Sequence, residues 1–179
     1  MPRKPRRAGR ASSDRERRAL AKANATPERP PRPAPEDYAV LSCDGGARGE
    51  AAAIGYVLDG EGHAEVIGRA SAAVAEYRAV LAGLEAAHAR GFGRVAVRSD
   101  SKLLVDHLCG RRTPRNPGLE ALGAQILDAT MRIGTVRFDW IPAEANGAAH
   151  ALAAEGLARH AAGDTSERGA TAADDLEPL

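Results

Sequence analysis

Three carboxylates and one imidazole lie in short polar motifs between apolar segments of this 179-residue chain. They are Asp44 in CDGGA, Glu76 in AEYRA, Asp100 in RSDSK and His150 in AHALA. Carboxylates that converge repel one another unless a cation neutralises them, and oxygen ligands of this kind suit Mg²⁺ or Mn²⁺. We therefore predict that these residues share one site for divalent ions.

Each of these residues also has a purely structural interpretation. Asp100 could cap a helix, Glu76 could complement a helix dipole, and Asp44-Gly45-Gly46 could form only a turn. The joint pattern favours the site, because Asp44 follows an apolar strand that should be central, where a carboxylate is rarely free of a cation.

Hydrophobic periodicity predicts the elements that must position the four residues. A first strand at 38–43 and a fourth at 94–98 place Asp44 and Asp100 directly after strands. Helices at 73–90 and 147–160 place Glu76 and His150 in first turns. The other predicted elements are strands at 51–59, 63–70 and 135–141, a hairpin turn at 59–62, helices at 101–108 and 119–133, and a basic loop at 110–117. This order indicates an α/β fold with a mixed sheet and helices on its faces.

Charge is distributed unevenly along the chain. Residues 1–35 carry eleven basic and three acidic side chains, residues 36–160 are net −3, and residues 161–179 are net −4. We predict a disordered basic arm rich in Arg and Pro over 1–35, with a possible short helix at 14–25. A globular domain over 36–160 and a disordered acidic tail over 161–179 follow. The arm indicates a polyanionic partner, although it could also serve only solubility.

Composition excludes several classes of protein. The sequence contains no run of about 18 apolar residues, so it predicts no membrane span. The basic N-terminus lacks the apolar region of a secretory signal. We therefore expect a cytoplasmic protein that does not bind membranes. Cys43 and Cys109 are too few for a disulfide framework and lack zinc-site spacing, so we predict two reduced, buried thiols.

The ordered set of motifs resembles the four signature blocks of the type 1 ribonuclease H family. CDGGA, AEYRA, RSDSK and IPAEANGAAHALA follow the family order over about residues 38–158. The resemblance implies the ribonuclease H-like fold, a five-stranded mixed sheet ordered 3-2-1-4-5 with helices on both faces. It also implies that Asp44, Glu76 and Asp100 are catalytic carboxylates that hold metal.

Two departures from the family pattern concern activity and substrate binding. The fourth block normally reads Ala-Asp-x-Leu-Ala, and His150 replaces its aspartate. We predict that the His150 imidazole is a catalytic metal ligand, which would favour Mn²⁺ over Mg²⁺; the alternative is an ordinary helix residue. The loop at 110–117 stands where some members carry a basic helical protrusion.

The resemblance implies an endonuclease that cuts the RNA strand of RNA–DNA hybrids. As a hypothesis, two divalent ions bridged by Asp44 would act on the scissile phosphate and leave 5′-phosphate and 3′-hydroxyl ends. Glu76 would also accept a hydrogen bond from a ribose 2′-hydroxyl. The predicted substrate-binding residues are Gly45, Gly46, Ala47, Arg48, Lys102, Arg111, Arg112 and Arg115.

Two other functions remain open at this point. One is a catalytically silent nucleic-acid-binding module in which His150 has damaged the metal site, and the other is a related exonuclease on the same fold. Retention of all three acids argues against the first, and the order of the motifs argues against the second. We expect a monomer.

Overall fold

The computed structural model describes residues 35–163, and the predicted basic arm, its possible helix and most of the acidic tail lie outside this range. The strands are β1 (Ala39–Arg48), β2 (Ala51–Leu58), β3 (Glu61–Gly68), β4 (Arg94–Ser99) and β5 (Thr135–Trp140). The helices are α1 (Ala72–Ala89), α2 (Lys102–Leu108), α3 (Pro117–Ile133) and α4 (Gly147–Ala161), and a short 3-10 turn spans Ala143–Ala145.

The five strands form one mixed sheet in the order β3-β2-β1-β4-β5. The first three strands pair as antiparallel hairpins. Strand β4 follows β3 through α1 and pairs parallel to β1, and β5 follows β4 through α2 and α3 and pairs parallel to β4. The predicted fold class and strand order are confirmed.

The turn between β2 and β3 is formed by Asp59 and Gly60. Their φ angles are 50° and 86°, so both central residues are in the left-handed region that a type I′ hairpin turn requires. Asp-Gly is a favoured sequence for this turn, and the prediction of a hairpin here is confirmed. Strand β2 ends one residue earlier than predicted and β3 begins two residues earlier, so Glu61 and Gly62 lie in β3 and not in the predicted turn at 59–62.

Strand β1 is longer than predicted. It continues through Asp44 to Arg48, and Gly45 and Gly46 pair with Ile54 and Ala53 of β2. The prediction that β1 ends at residue 43 is therefore wrong, and so is the interpretation of Asp44-Gly45-Gly46 as a turn. The reversal occurs at Gly49, whose φ is 60°.

The two glycines of β1 lie where helices cover opposite faces of the sheet. A Cβ on Gly45 would lie 2.2 Å from the backbone of Ala75 and Glu76 in α1, whereas a Cβ on Gly46 would lie 3.2 Å from Leu157 in α4. Because consecutive strand residues face opposite sides, α1 covers one face and α4 the other. The prediction of helices on both faces is confirmed.

The main core lies between the sheet and helices α1, α2 and α3. Leu41, Leu84, Leu104 and Ile126 are fully buried there, and Tyr77 is the largest fully buried side chain in the described residues. Ser71 caps α1 by accepting a hydrogen bond from the Val74 amide at 3.3 Å. This packing fixes the helix that carries Glu76.

Candidate active site

Asp44 lies in the middle of β1, on the sheet face that α4 covers. His150, in the first turn of α4, approaches it from that helix, with 2.8 Å between His150 Nδ1 and Asp44 Oδ2. The Asp44 side chain is 12% exposed and that of His150 is 73% exposed. Two of the predicted site residues, 106 positions apart, therefore form a direct contact.

Glu76 lies in the second turn of α1, not in the first turn as predicted, because the helix begins at Ala72. The Ser101 hydroxyl donates a hydrogen bond of 2.6 Å to Glu76 Oε2. Ser101 is the N-cap of α2, but its side chain makes no capping hydrogen bond. Its hydroxyl therefore binds Glu76 where a typical cap would bind the helix backbone.

Asp100 follows β4 directly, as predicted. The Asn146 amide donates a hydrogen bond of 2.7 Å to Asp100 Oδ1. The Trp140 indole donates one of 3.0 Å to the Asp100 backbone carbonyl. Both the backbone and the carboxylate of Asp100 are therefore held by residues from the end of β5 and the start of α4.

The three carboxylates interact electrostatically. Burial raises the pKa of Asp44, the hydrogen bond with His150 lowers it, and the charge of Asp100 raises it further. Burial also raises the pKa of Glu76, the Ser101 hydrogen bond lowers it, and the charges of Asp44 and Asp100 raise it. Partly buried carboxylates that repel one another form a region of negative potential that favours a cation.

The residue types fit divalent cations, although the side chains of residues 35–163 do not stand in a ready-made metal cluster of three or more His, Cys, Asp or Glu. His150, Ser101 and Asn146 each bind one of the three carboxylates. A cation would therefore compete for oxygens that now accept hydrogen bonds. Hard carboxylate oxygens are the ligands that Mg²⁺ and Mn²⁺ prefer.

The backbone edge of β1 beside the site is open. The Val40 carbonyl accepts from Asp59 on the β2 side, and the Cys43 carbonyl accepts from Asn146 on the other side. Successive residues of a strand direct their N–H and C=O groups to opposite edges. Gly45 and Ala47 are two and four residues after Cys43, so their backbone groups face the β4 side as those of Cys43 do. Strand β4 pairs with β1 no further than Ser42, so no described strand occupies that edge.

The predicted basic residues are all exposed, but they differ in their partners. Lys102 Nζ lies 2.9 Å from Asp106 and Arg111 Nη1 lies 3.4 Å from it, and these two contacts lower the pKa of Asp106, with the Lys102 hydrogen bond as the larger cause. Arg112 and Arg115 have no ion pair with any described residue. Arg48 is the last residue of β1, where it pairs with Ala51 of β2.

Sequence reasoning missed three residues that hold the site together. These are Ser101, Trp140 and Asn146, each of which contacts Glu76 or Asp100 across 25 to 46 positions of sequence. A serine after Asp100 resembles an ordinary helix cap, and nothing local distinguishes Asn146 from a turn residue. Such contacts depend on the tertiary fold.

Comparison with known proteins decides the family. A family described as reverse transcriptase-like matches residues 43–156, which include all four predicted site residues. An RNase H1 structure from Halobacterium salinarum matches with a TM-score of 0.65 and 32% identity, over 68% of this chain and 98% of that one. The chain belongs to the ribonuclease H family.

Two further relatives of this chain provide information on a bound hybrid and on chain length. LC11-RNase H1, solved in complex with an RNA/DNA hybrid, matches with a TM-score of 0.64 and 31% identity, over 69% of this chain and 99% of that one. The bifunctional protein Rv2228c of Mycobacterium tuberculosis is 35% identical over 127 residues. That match covers 66% of this chain and 35% of the relative, so the chain spans about a third of its length.

Within residues 35–163, no helix combines the length and apolar character needed to cross a membrane. Cys43 and Cys109 are both free thiols, as predicted. The prediction that both are buried is wrong for Cys109, which is exposed at the C-cap of α2. Burial raises the pKa of the Cys43 thiol, with a further contribution from Asp44, so this cysteine stays protonated beside the site. It therefore acts as an apolar core residue and not as a metal ligand.

Proposed function

We propose that this chain is an endonuclease that hydrolyses the RNA strand of RNA–DNA hybrids. The observation that carries the proposal is the convergence of Asp44, Glu76 and Asp100, from β1, α1 and the end of β4, into one region where their charges repel. Family membership and the hybrid bound by the related LC11-RNase H1 support the choice of substrate.

Asp44, Glu76, Asp100 and His150 would hold two divalent ions, Mg²⁺ or Mn²⁺. When bound, the ions would supply a water nucleophile at neutral pH and stabilise the leaving 3′-oxygen, giving 5′-phosphate and 3′-hydroxyl ends. Side chains of the described residues hydrogen-bond Asp100 at Oδ1 and Glu76 at Oε2, so Oδ2 of Asp100 and Oε1 of Glu76 are the oxygens that could bind an ion.

His150 would contribute its second ring nitrogen. While Asp44 is ionised it can only accept a hydrogen bond, so the shared proton belongs to His150 Nδ1. In the neutral imidazole, Nε2 then carries the lone pair that can bind an ion, and the side chain is 73% exposed. A carboxylate that orients a ligating imidazole in this way is a common arrangement in metal sites, and nitrogen ligation favours Mn²⁺ over Mg²⁺.

The hybrid would be bound by groups on both sides of the carboxylates. Glu76 would accept a hydrogen bond from a ribose 2′-hydroxyl, and the backbone groups of Gly45 and Ala47 would face the RNA along the open edge of β1. Gly46, which the sequence also placed among the substrate-binding residues, directs its backbone groups to β2 instead. The residues proposed to contact backbone phosphates are Arg48, Lys102, Arg111, Arg112 and Arg115. Arg112 and Arg115 should contribute most, because Lys102 and Arg111 share Asp106.

The glycines have a second role that sequence reasoning did not foresee. Gly45 and Gly46 leave the space that the Ala75 backbone and the Leu157 side chain occupy. Their missing Cβ atoms therefore serve packing of α1 and α4 on the sheet, and only the backbone edge remains for substrate. The basic arm at 1–35, the cytoplasmic location and the monomeric state stay predictions.

The test is cleavage of end-labelled RNA–DNA hybrid, duplex RNA and duplex DNA of one sequence, each with Mg²⁺ or Mn²⁺. We expect cleavage of the RNA strand of the hybrid and of neither duplex RNA nor duplex DNA. The products should carry 5′-phosphates, which a phosphatase converts to 5′-hydroxyls. Binding of the hybrid without cleavage under every metal condition would contradict the proposal and support a silent binding module. Cleavage progressing only from strand ends would indicate an exonuclease.

A further inference from the structure

Asn146, the residue before α4, connects three elements of the candidate site. Its Nδ2 donates to the Cys43 carbonyl at 2.9 Å and to Asp100 Oδ1 at 2.7 Å. Cys43 precedes Asp44 in β1, and the Asn146 carbonyl accepts a hydrogen bond from the His150 amide at 3.1 Å. One side chain therefore lies at the junction of the elements that carry Asp44, Asp100 and His150.

The orientation of this amide is fixed by its partners. A backbone carbonyl and an ionised carboxylate can only accept, so the nitrogen must face both, and a flipped amide would lose both hydrogen bonds. Asn146 is 1% exposed, and within residues 35–163 no hydrogen bond to its Oδ1 opposes this orientation.

The consequence for Asp100 is a defined rotamer. Its Oδ1 accepts from Asn146, and its backbone carbonyl accepts from Trp140, so among the described residues Oδ2 is the carboxylate oxygen that accepts no side-chain hydrogen bond. A carboxylate held in this way loses less rotational freedom when it binds a cation.

We infer that Asn146 is a positioning residue that orients the Asp100 carboxylate for a divalent ion. The inference rests on the proposed function, since it assigns Asp100 to the ion site. Because Asn146 is almost fully buried, it would act through Asp100 and the start of α4 and not by contacting substrate.

The experiment measures Mn²⁺ binding without substrate, by calorimetry and by fluorescence of Trp140. Trp140 is the only tryptophan of the chain and its indole binds the Asp100 carbonyl, so its emission reports on this residue. Asn146→Ala should weaken Mn²⁺ binding by about 10- to 100-fold and lower kcat on hybrid by a similar factor, with KM changed less than about twofold.

Asn116→Ala is the matched control. Asn116 is also an asparagine at a helix start, where its Oδ1 accepts from the Gly118 amide at 2.8 Å, but it caps α3 and is exposed. Its loss should lower the thermal midpoint and leave Mn²⁺ affinity and kcat within about twofold of wild type. A purely structural role for Asn146 would give this same pattern.

Asn146→Ser keeps one hydroxyl donor and provides a second variant if the alanine variant does not fold. It should bind Mn²⁺ with an affinity between those of wild type and Asn146→Ala. The inference is overturned if a folded Asn146→Ala or Asn146→Ser protein binds Mn²⁺ as tightly as wild type. Because the binding assay needs no cleavage, wild-type inactivity on hybrid would refute the proposed function separately.

Discussion

Replacing Gly45 with alanine would place a methyl group against the backbone of the helix that carries Glu76. The new Cβ would lie 2.2 Å from Ala75 C and from Glu76 N. Ordinary contact begins near 3.4 Å, so β1 and α1 must separate by about 1.2 Å. Backbone atoms cannot rotate away as a side-chain tip can, so the strain reaches Glu76 directly.

Two effects of the Gly45→Ala substitution follow from this separation. Overpacking of this kind typically costs about 1–3 kcal/mol of folding free energy. Displacing a catalytic group by about 1 Å can lower the rate about 100-fold. We therefore expect a lower denaturant midpoint together with a kcat on hybrid about two orders of magnitude below wild type.

The assay is guanidinium unfolding followed by steady-state cleavage of a hybrid, with Gly62→Ala as the control. A Cβ on Gly62 would lie 3.1 Å from Leu152 Cδ1, a side-chain tip that can move, and we expect near wild-type stability and kcat. If Gly45→Ala instead raised KM alone and left the unfolding midpoint unchanged, the glycine would serve RNA approach and the packing argument would be wrong.

Three further predictions concern His150, the basic arm at 1–35 and the buried Tyr77. His150→Ala should lose much of the cleavage activity, whereas His150→Asp should keep it and shift the metal preference toward Mg²⁺. If His150→Ala cleaved hybrid as well as wild type with both metals, His150 would not be a metal ligand. Deleting residues 1–35 should flatten the dependence of log affinity for hybrid on log salt, and an unchanged slope would show that the arm does not contact nucleic acid. Burial, with a contribution from Glu76, raises the pKa of Tyr77 from 10.0 to about 12, so the stability from its neutral form is complete below pH 10 and is lost as pH rises through about 12. In a pH titration, the difference in phenolate absorbance between wild type and Tyr77→Phe should appear near pH 12. A difference centred near pH 10 would show that the Tyr77 phenol titrates as an exposed one and would contradict its burial.

Local sequence was sufficient for the elements whose signals are local. The apolar spacing of α1 and the Asp59-Gly60 turn predicted a helix and a hairpin that the structure contains. The end of β1 was not predictable in this way, because Asp44-Gly45-Gly46 has the composition of a turn. It is a strand because Gly45 and Gly46 pair with β2 and admit α1 and α4, and these are tertiary constraints.

The sequence predicted the four central residues of the candidate site but not the residues that hold their side chains in place. Motif order located Asp44, Glu76, Asp100 and His150, and the structure brings Asp44 into contact with His150 and into repulsion with the other two acids. The residues that bind these carboxylates, such as Asn146, are defined by contacts over many positions. Sequence separation hides such partners until the strand order is known.

The central claim is that three acids act together, and the most direct test is the kcat of single isosteric variants on an RNA–DNA hybrid. Asp44→Asn, Glu76→Gln and Asp100→Asn each remove one charge, and Asp128→Asn on the exposed face of α3 removes one charge away from the site. We predict that each of the first three folds and loses cleavage at least about 1,000-fold, as expected when a metal ligand is lost, whereas Asp128→Asn cleaves as wild type. Near wild-type cleavage by a folded Asp100→Asn protein would contradict the account.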